Sequence, residues 1–161
     1  MLQRSTANGL TGWVSYTYGH AQIYDGDLRL SFPSEYDQKH TLNVAASYRI
    51  RPTVNLTARW TYGSGFPVPG VYRLSGTSYF LSPLRDGLRI TEFERFDVRV
   101  NKAFVFQRRK LTLFAEVVNL FNRQNRIYDS PGSYSTTTGA ANLNFINMFP
   151  ILPSVGILFE F

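Results

Sequence analysis

The stretch Arg95–Asn122, RFDVRVNKAFVFQRRKLTLFAEVVNLFN, constrains the fold most. In its first arm Phe96, Val98, Val100, Phe104 and Phe106 share one parity, and Arg95, Asp97, Arg99 and Asn101 share the other. A β-strand turns successive side chains to opposite faces, so this period of two gives one apolar and one charged face. In the second arm Leu111, Leu113, Ala115 and Val117 alternate with Thr112 and Glu116. The spacing predicts strands over Arg95–Phe106 and Leu111–Asn122, joined by a basic turn at Gln107–Lys110. The alternation breaks at Val117-Val118, where a β-bulge would restore it. Each arm reaches about ten residues, longer than the usual soluble strand and near the length that crosses a bilayer.

The same pattern recurs along the chain. Val14, Tyr16 and Tyr18 alternate within Gly12–Tyr18, although Trp13 fits the polar side poorly. In His40–Ile50 the residues Leu42, Val44, Ala46, Tyr48 and Ile50 share a face, and in Thr53–Tyr62 the residues Val54, Leu56, Ala58, Trp60 and Tyr62 do so. Val155, Ile157, Phe159 and Phe161 alternate in the final stretch Ser154–Phe161. Between these strands lie long loops over 19–37, 63–91 and 123–153, and short turns at Arg51-Pro52 and Gln107–Lys110. Strands running alternately up and down place every long loop at one end and every short turn at the other. Tyr16, Tyr18, Trp60, Tyr62 and Phe121 fall at the long-loop end, while Tyr48, Phe104, Phe106, Phe159 and Phe161 fall at the short-turn end. Two aromatic girdles and this loop asymmetry match a transmembrane β-barrel.

Composition narrows the alternatives. No run approaches 18 consecutive apolar residues, so a transmembrane helix is not expected. The chain has no cysteine, which removes disulfides and thiolate metal sites. Met1–Leu10 has no apolar core and does not read as a signal peptide. An Arg or Lys on a lipid-facing surface costs roughly 2–4 kcal/mol at mid-bilayer. The apolar face must then point outward, and Arg49, Asn55, Arg59, Arg95, Asp97, Arg99 and Glu116 point inward. Lys102 is the exception, sharing parity with Val100 and Phe104; it snorkels to the short-turn end or marks a bulge.

No constellation points to catalysis, a cofactor or a metal. His20 and His40 flank a loop without ligand spacing. Asp25-Gly26-Asp27 lacks the further ligands of a calcium loop and reads as a solvated turn. Asn55-Leu56-Thr57 matches a glycosylation pattern but lies within a strand. Asp97 and Glu116 sit among Arg59, Arg95 and Arg99, so ion pairs account for them better than paired acid/base carboxylates. The net charge is +6, but the basic turn, with Arg49 and Arg51 at the same end, lacks the wide face and stacking aromatics that nucleic acid requires. Ligand contact is expected instead from the long loops, where Tyr72, Arg73, Tyr79, Phe80 and Tyr134 supply aromatic and cationic surface.

Laid out in order, YDQKHTLNVAASYRI (Tyr36–Ile50), WTYGSGFP (Trp60–Pro67), RFDVRVNKAF (Arg95–Phe104), LTLFAEVVNLFNRQN (Leu111–Asn125) and LPSVGILFEF (Leu152–Phe161) resemble the C-terminal barrel end of a TonB-dependent outer-membrane receptor. The resemblance implies a barrel of about 22 strands with an N-terminal plug. Residues 1–161 would be a partial barrel, without the plug and the remaining strands. It also implies residence in the outer membrane, contact with its lipid, coupling to the TonB complex through the missing part, and import of a scarce solute such as a siderophore or glycan. Ile157, Phe159 and Phe161 resemble the signal read by the barrel-assembly machinery. The expected structure is all-β: an antiparallel up-and-down segment of about six long strands in an open, curved sheet. A passive porin-like or structural barrel protein and a soluble β-sheet binding module are the alternatives.

Overall fold

The computed structural model describes residues 1–107 and 109–161, except for the side chains of residues 4–7. The described chain is all-β and antiparallel. Its main sheet contains β1 (Leu2–Ala7), β2 (Leu10–Tyr18), β5 (His40–Arg51), β6 (Val54–Gly63), β9 (Phe93–Phe106), β10 (Arg109–Val118) and β13 (Leu152–Glu160). These run in the order β1-β2-β5-β6-β9-β10-β13, and the sheet is open, with β1 and β13 as its two edges. Each strand pairs with its predecessor in the sheet, the up-and-down order that the alternation predicts.

β1 adds one strand to the six expected. It folds back on β2 through Asn8 and Gly9, both with positive φ (53° and 77°). Asn-Gly is the sequence that a primed two-residue hairpin turn favours, because both residues tolerate the left-handed region. At the basic turn, Arg109 already pairs with Phe106. Arg109 and Lys110 therefore belong to β10 rather than to the expected turn, and Arg108 of that turn lies outside the described residues. Gln107 takes a φ of 41° there.

One expectation about register needs correction. Pairing runs unbroken from Arg109 to Val117 against β9 and from Lys110 to Val118 against β13, so no bulge occurs at Val117-Val118. Strand β10 ends there instead, at Val118 rather than Asn122, and the φ of 55° at Asn119 turns the chain. Register shifts in the main sheet lie instead in β1, between Arg4 and Ala7, and in β5, between Arg49 and Arg51, next to the turn at Pro52. Strand β9 also pairs without a shift from Phe93 to Lys102 against β6. Lys102 is thus on the apolar face by register, and its Nζ reaches the Thr53 hydroxyl at 2.8 Å near the short-turn end.

The faces separate along most of the sheet. One row across six strands reads Leu10, Tyr48, Leu56, Val100, Ala115, Val155; the adjacent row on the opposite face reads Thr11, Ser47, Thr57, Arg99, Glu116, Ser154. On the polar face Arg95 Nε pairs with Asp97 at 3.0 Å, and Arg99 lies 3.8 Å from Glu116. These are the ion pairs expected of the two carboxylates. Phe114 also belongs to this face, where the Arg99 guanidinium lies 3.9 Å from its ring centre. Its ring fills the space a Cβ would occupy on Gly156, its cross-strand neighbour. An aromatic ring shielding a strand glycine in this way protects backbone that would otherwise be exposed.

Nothing among the described residues covers the apolar face. Val155 is 83% exposed and Phe161 98%, and Val14, Tyr48, Val100, Phe104, Leu113, Ile157 and Phe159 are all exposed. The buried hydrophobic residues are Phe32, Val68 and Ala141, all in the long loops. Those loops are themselves folded. The first holds the hairpin β3 (Gln22–Asp25) and β4 (Leu30–Pro33); the second holds β7 (Tyr72–Ser75) and β8 (Ser78–Leu81); the third holds β11 (Arg126–Tyr134) and β12 (Ala140–Asn147). The second and third loops join into one sheet, β11-β12-β8-β7.

Candidate ligand-binding surface at the long-loop end

The long loops are fixed to the main sheet by buried polar side chains. Asp37, 1% exposed, closes the first loop onto the second. Its Oδ1 accepts the Ala21 N–H at 2.7 Å and lies 3.2 Å from His20 Nδ1. Its Oδ2 pairs with Arg89, whose Nη1 also donates to the Asp37 carbonyl at 2.6 Å and the Gly65 carbonyl at 3.0 Å. Burial acts to raise the Asp37 pKa, but the Ala21 N–H, the Arg89 guanidinium and His20 together outweigh it and hold the carboxyl below its ordinary 3.8. A buried carboxylate is stable only when so partnered. Gly65 permits the closure: a Cβ there would run into the Ile90 carbonyl. The segments on either side pair through Val68 N–H to Leu88 O (2.7 Å) and Ile90 N–H to Phe66 O (3.0 Å).

The third loop is held by asparagines. Asn119 Nδ2 donates to the carbonyls of Arg123 (3.0 Å) and Phe149 (3.1 Å), and its Oδ1 accepts the Arg123 N–H at 3.0 Å. The Asn119 N–H donates to Asp97 Oδ1 at 2.9 Å, tying the turn to the polar face. Asn122 Oδ1 accepts the Ile151 N–H. Asn125 exchanges two bonds with the backbone of Glu94, at 2.9 and 2.8 Å. The short polar side chains thus satisfy backbone groups at the points where the ladder stops.

Held at these points, the four-stranded sheet gathers aromatic and basic side chains. Tyr79, Phe145 and Tyr128 form a continuous aromatic group, with ring centres 5.9 and 6.0 Å apart. Burial, then Tyr72 and Asp129, raise the Tyr128 pKa above its ordinary 10.0. A shallow cleft beside the group is lined by Leu74, Tyr79, Leu88, Ile90, Phe145 and the cations Arg89 and Arg126. It encloses about 100 Å³, well below the roughly 300–1,000 Å³ of a small-molecule site. Alone it is too small to enclose such a ligand.

Of the expected contact residues, Tyr72, Arg73, Tyr79 and Phe80 lie on adjoining strands of this sheet, and Tyr134 pairs with Ala141, which pairs with Tyr79. The register divides them. Tyr72 and Tyr79 share the cleft's face, whereas Arg73 lies opposite, paired with Phe80 and 5.8 Å from its ring centre. Tyr128, Phe145 and Arg126 were not anticipated. The alternation of Ala141, Leu143 and Phe145 was available, but the Ser, Thr, Gly and Asn around it reads as loop. His40, the first residue of β5, lies within an aromatic group, 2.8 Å from the Tyr16 hydroxyl and 5.3 Å from the Tyr18 ring centre. Asp25 caps its own turn, accepting the N–H of Asp27 and of Leu28 at 3.0 Å. Comparison with family profiles, curated proteins and solved structures found no match to the chain.

Proposed function

We propose that this chain forms the C-terminal strands of an outer-membrane β-barrel of the TonB-dependent receptor kind, in which the long-loop end captures a scarce solute for energised import. The observation that carries this reading is the uncovered apolar face of the main sheet, whose alternate residues form a polar, ion-paired wall. Each large apolar side chain left exposed forgoes roughly 1.5–3 kcal/mol of burial in water, a loss that lipid removes. The clustering of Tyr79, Tyr128 and Phe145 beside Arg126 at one end supports capture there. The unpaired edges β1 and β13 support a larger barrel. Catalysis has no part in this reading.

The reading frame upstream of Met1 provides the test. A frame that continues into a plug and further strands is expected, followed by uptake that stops when the proton gradient is collapsed. A separate signal peptide directly before this chain, with solute passage insensitive to that gradient, would replace import by a passive pore.

A further inference from the structure

Ala115 lies between Val100 and Val155 on the apolar face, and its small side chain leaves a groove there. The next row toward the short-turn end is Lys102, Leu113 and Ile157, which also line it. The space holds about 500 Å³, within the roughly 300–1,000 Å³ of sites that take small ligands. Lys102 is the cation of this groove. Its Nζ donates to Thr53 Oγ1 at 2.8 Å and lies 5.4 Å from the Phe104 ring centre. Among the described residues no carboxylate lies within ion-pair distance of it. An ammonium has three N–H donors, so further donors remain for an acceptor outside the sheet.

We propose that this groove is a binding site for a phospholipid with a net anionic headgroup. One acyl chain lies along Val100, Ala115 and Val155, and the phosphodiester takes hydrogen bonds from Lys102. The argument is charge complementarity: a strip of apolar side chains ending in one unpaired cation fits an amphiphile whose anionic group adjoins its hydrocarbon. A free phosphate would leave the apolar strip unoccupied, and an uncharged detergent would leave the ammonium without its acceptor. The inference rests on the membrane reading above.

The test uses the whole chain in mixed micelles with equal amounts of dioleoylphosphatidylglycerol and dioleoylphosphatidylcholine, with retained lipid read by native mass spectrometry. Phosphatidylglycerol should be retained preferentially. Lys102→Met should lower its retention about five-fold, the effect of one cation near an anionic lipid surface. Lys102→Arg should keep it, and Ala115→Leu, which fills the floor without changing charge, should lower it as well. Lys102→Met adds apolar surface to an apolar face, so it should enter micelles as the parent does. A chain that enters micelles but retains phosphatidylglycerol equally with Met or Lys at position 102 overturns the groove alone. A chain that stays folded and monomeric in water overturns the membrane reading and the groove with it.

Discussion

At the scale of single residues, the long-loop end depends on a few buried polar groups. Asp37 has its carboxyl held below 3.8 in the folded chain. A group depressed in this way contributes stability above its unfolded value and loses it as pH falls through the folded value. Amide hydrogen exchange of residues 19–22 and 65–68 should therefore accelerate as pH drops below 3.8, after correction for intrinsic rates. In Asp37→Asn, exchange should already be fast at neutral pH. Asn119 sets a second test. It makes three side-chain hydrogen bonds at a φ of 55°. Asn119→Ala should cost about 2–4 kcal/mol, combining lost bonds with the left-handed backbone. Asn119→Gly should recover only the backbone share, measured by urea unfolding in detergent. Gly65→Ala, which meets the Ile90 carbonyl, should cost about 1–3 kcal/mol through overpacking and open residues 65–90 to limited proteolysis.

At the scale of elements, each strand carries two surfaces with different tolerance. Ala58 and Thr57 are neighbours in β6 but face opposite ways, in rows with Val98 and with Arg99 respectively. Ala58→Arg should destabilise the chain in bilayers by roughly 2–4 kcal/mol and Thr57→Arg by much less, as read by chemical denaturation in lipid vesicles. The strands of the main sheet were legible because a period of two kept over about ten residues fits the pleat of a strand and not the 3.6-residue turn of a helix. Strand β1 was legible in principle from Asn8-Gly9, but Met1–Leu10 lacks the apolar alternation that would have drawn attention to it. The break in the apolar period at Val117-Val118 suggests a bulge in a strand continuing to Asn122, whereas the structure simply stops the strand at Val118. The loop sheet was hidden because its strands are short and their partners distant in sequence: Tyr79 pairs with Ala141, and no local pattern records such a pairing. Tyr72, Arg73, Tyr79, Phe80 and Tyr134, the expected contact residues, do fall in this sheet, but their faces follow only from that register.

At the scale of the whole molecule, the chain has its buried apolar residues in the loops and an uncovered apolar face on its main sheet. That inverts the usual arrangement of a soluble sheet, which packs one face on a core. The proposed placement, with lipid against one face and polar contents against the other, would reconcile the two. The most direct measurement is spin-label accessibility in bilayers. The chain has no cysteine, so single cysteines placed in turn from Val54 to Tyr62 report each position without background. Labels at 54, 56, 58, 60 and 62 should relax faster with dissolved oxygen, and those at 55, 57, 59 and 61 faster with a water-soluble nickel chelate. Accessibility with no period of two, or even-numbered positions reached mainly by the nickel chelate, would contradict the assignment of the apolar face to lipid.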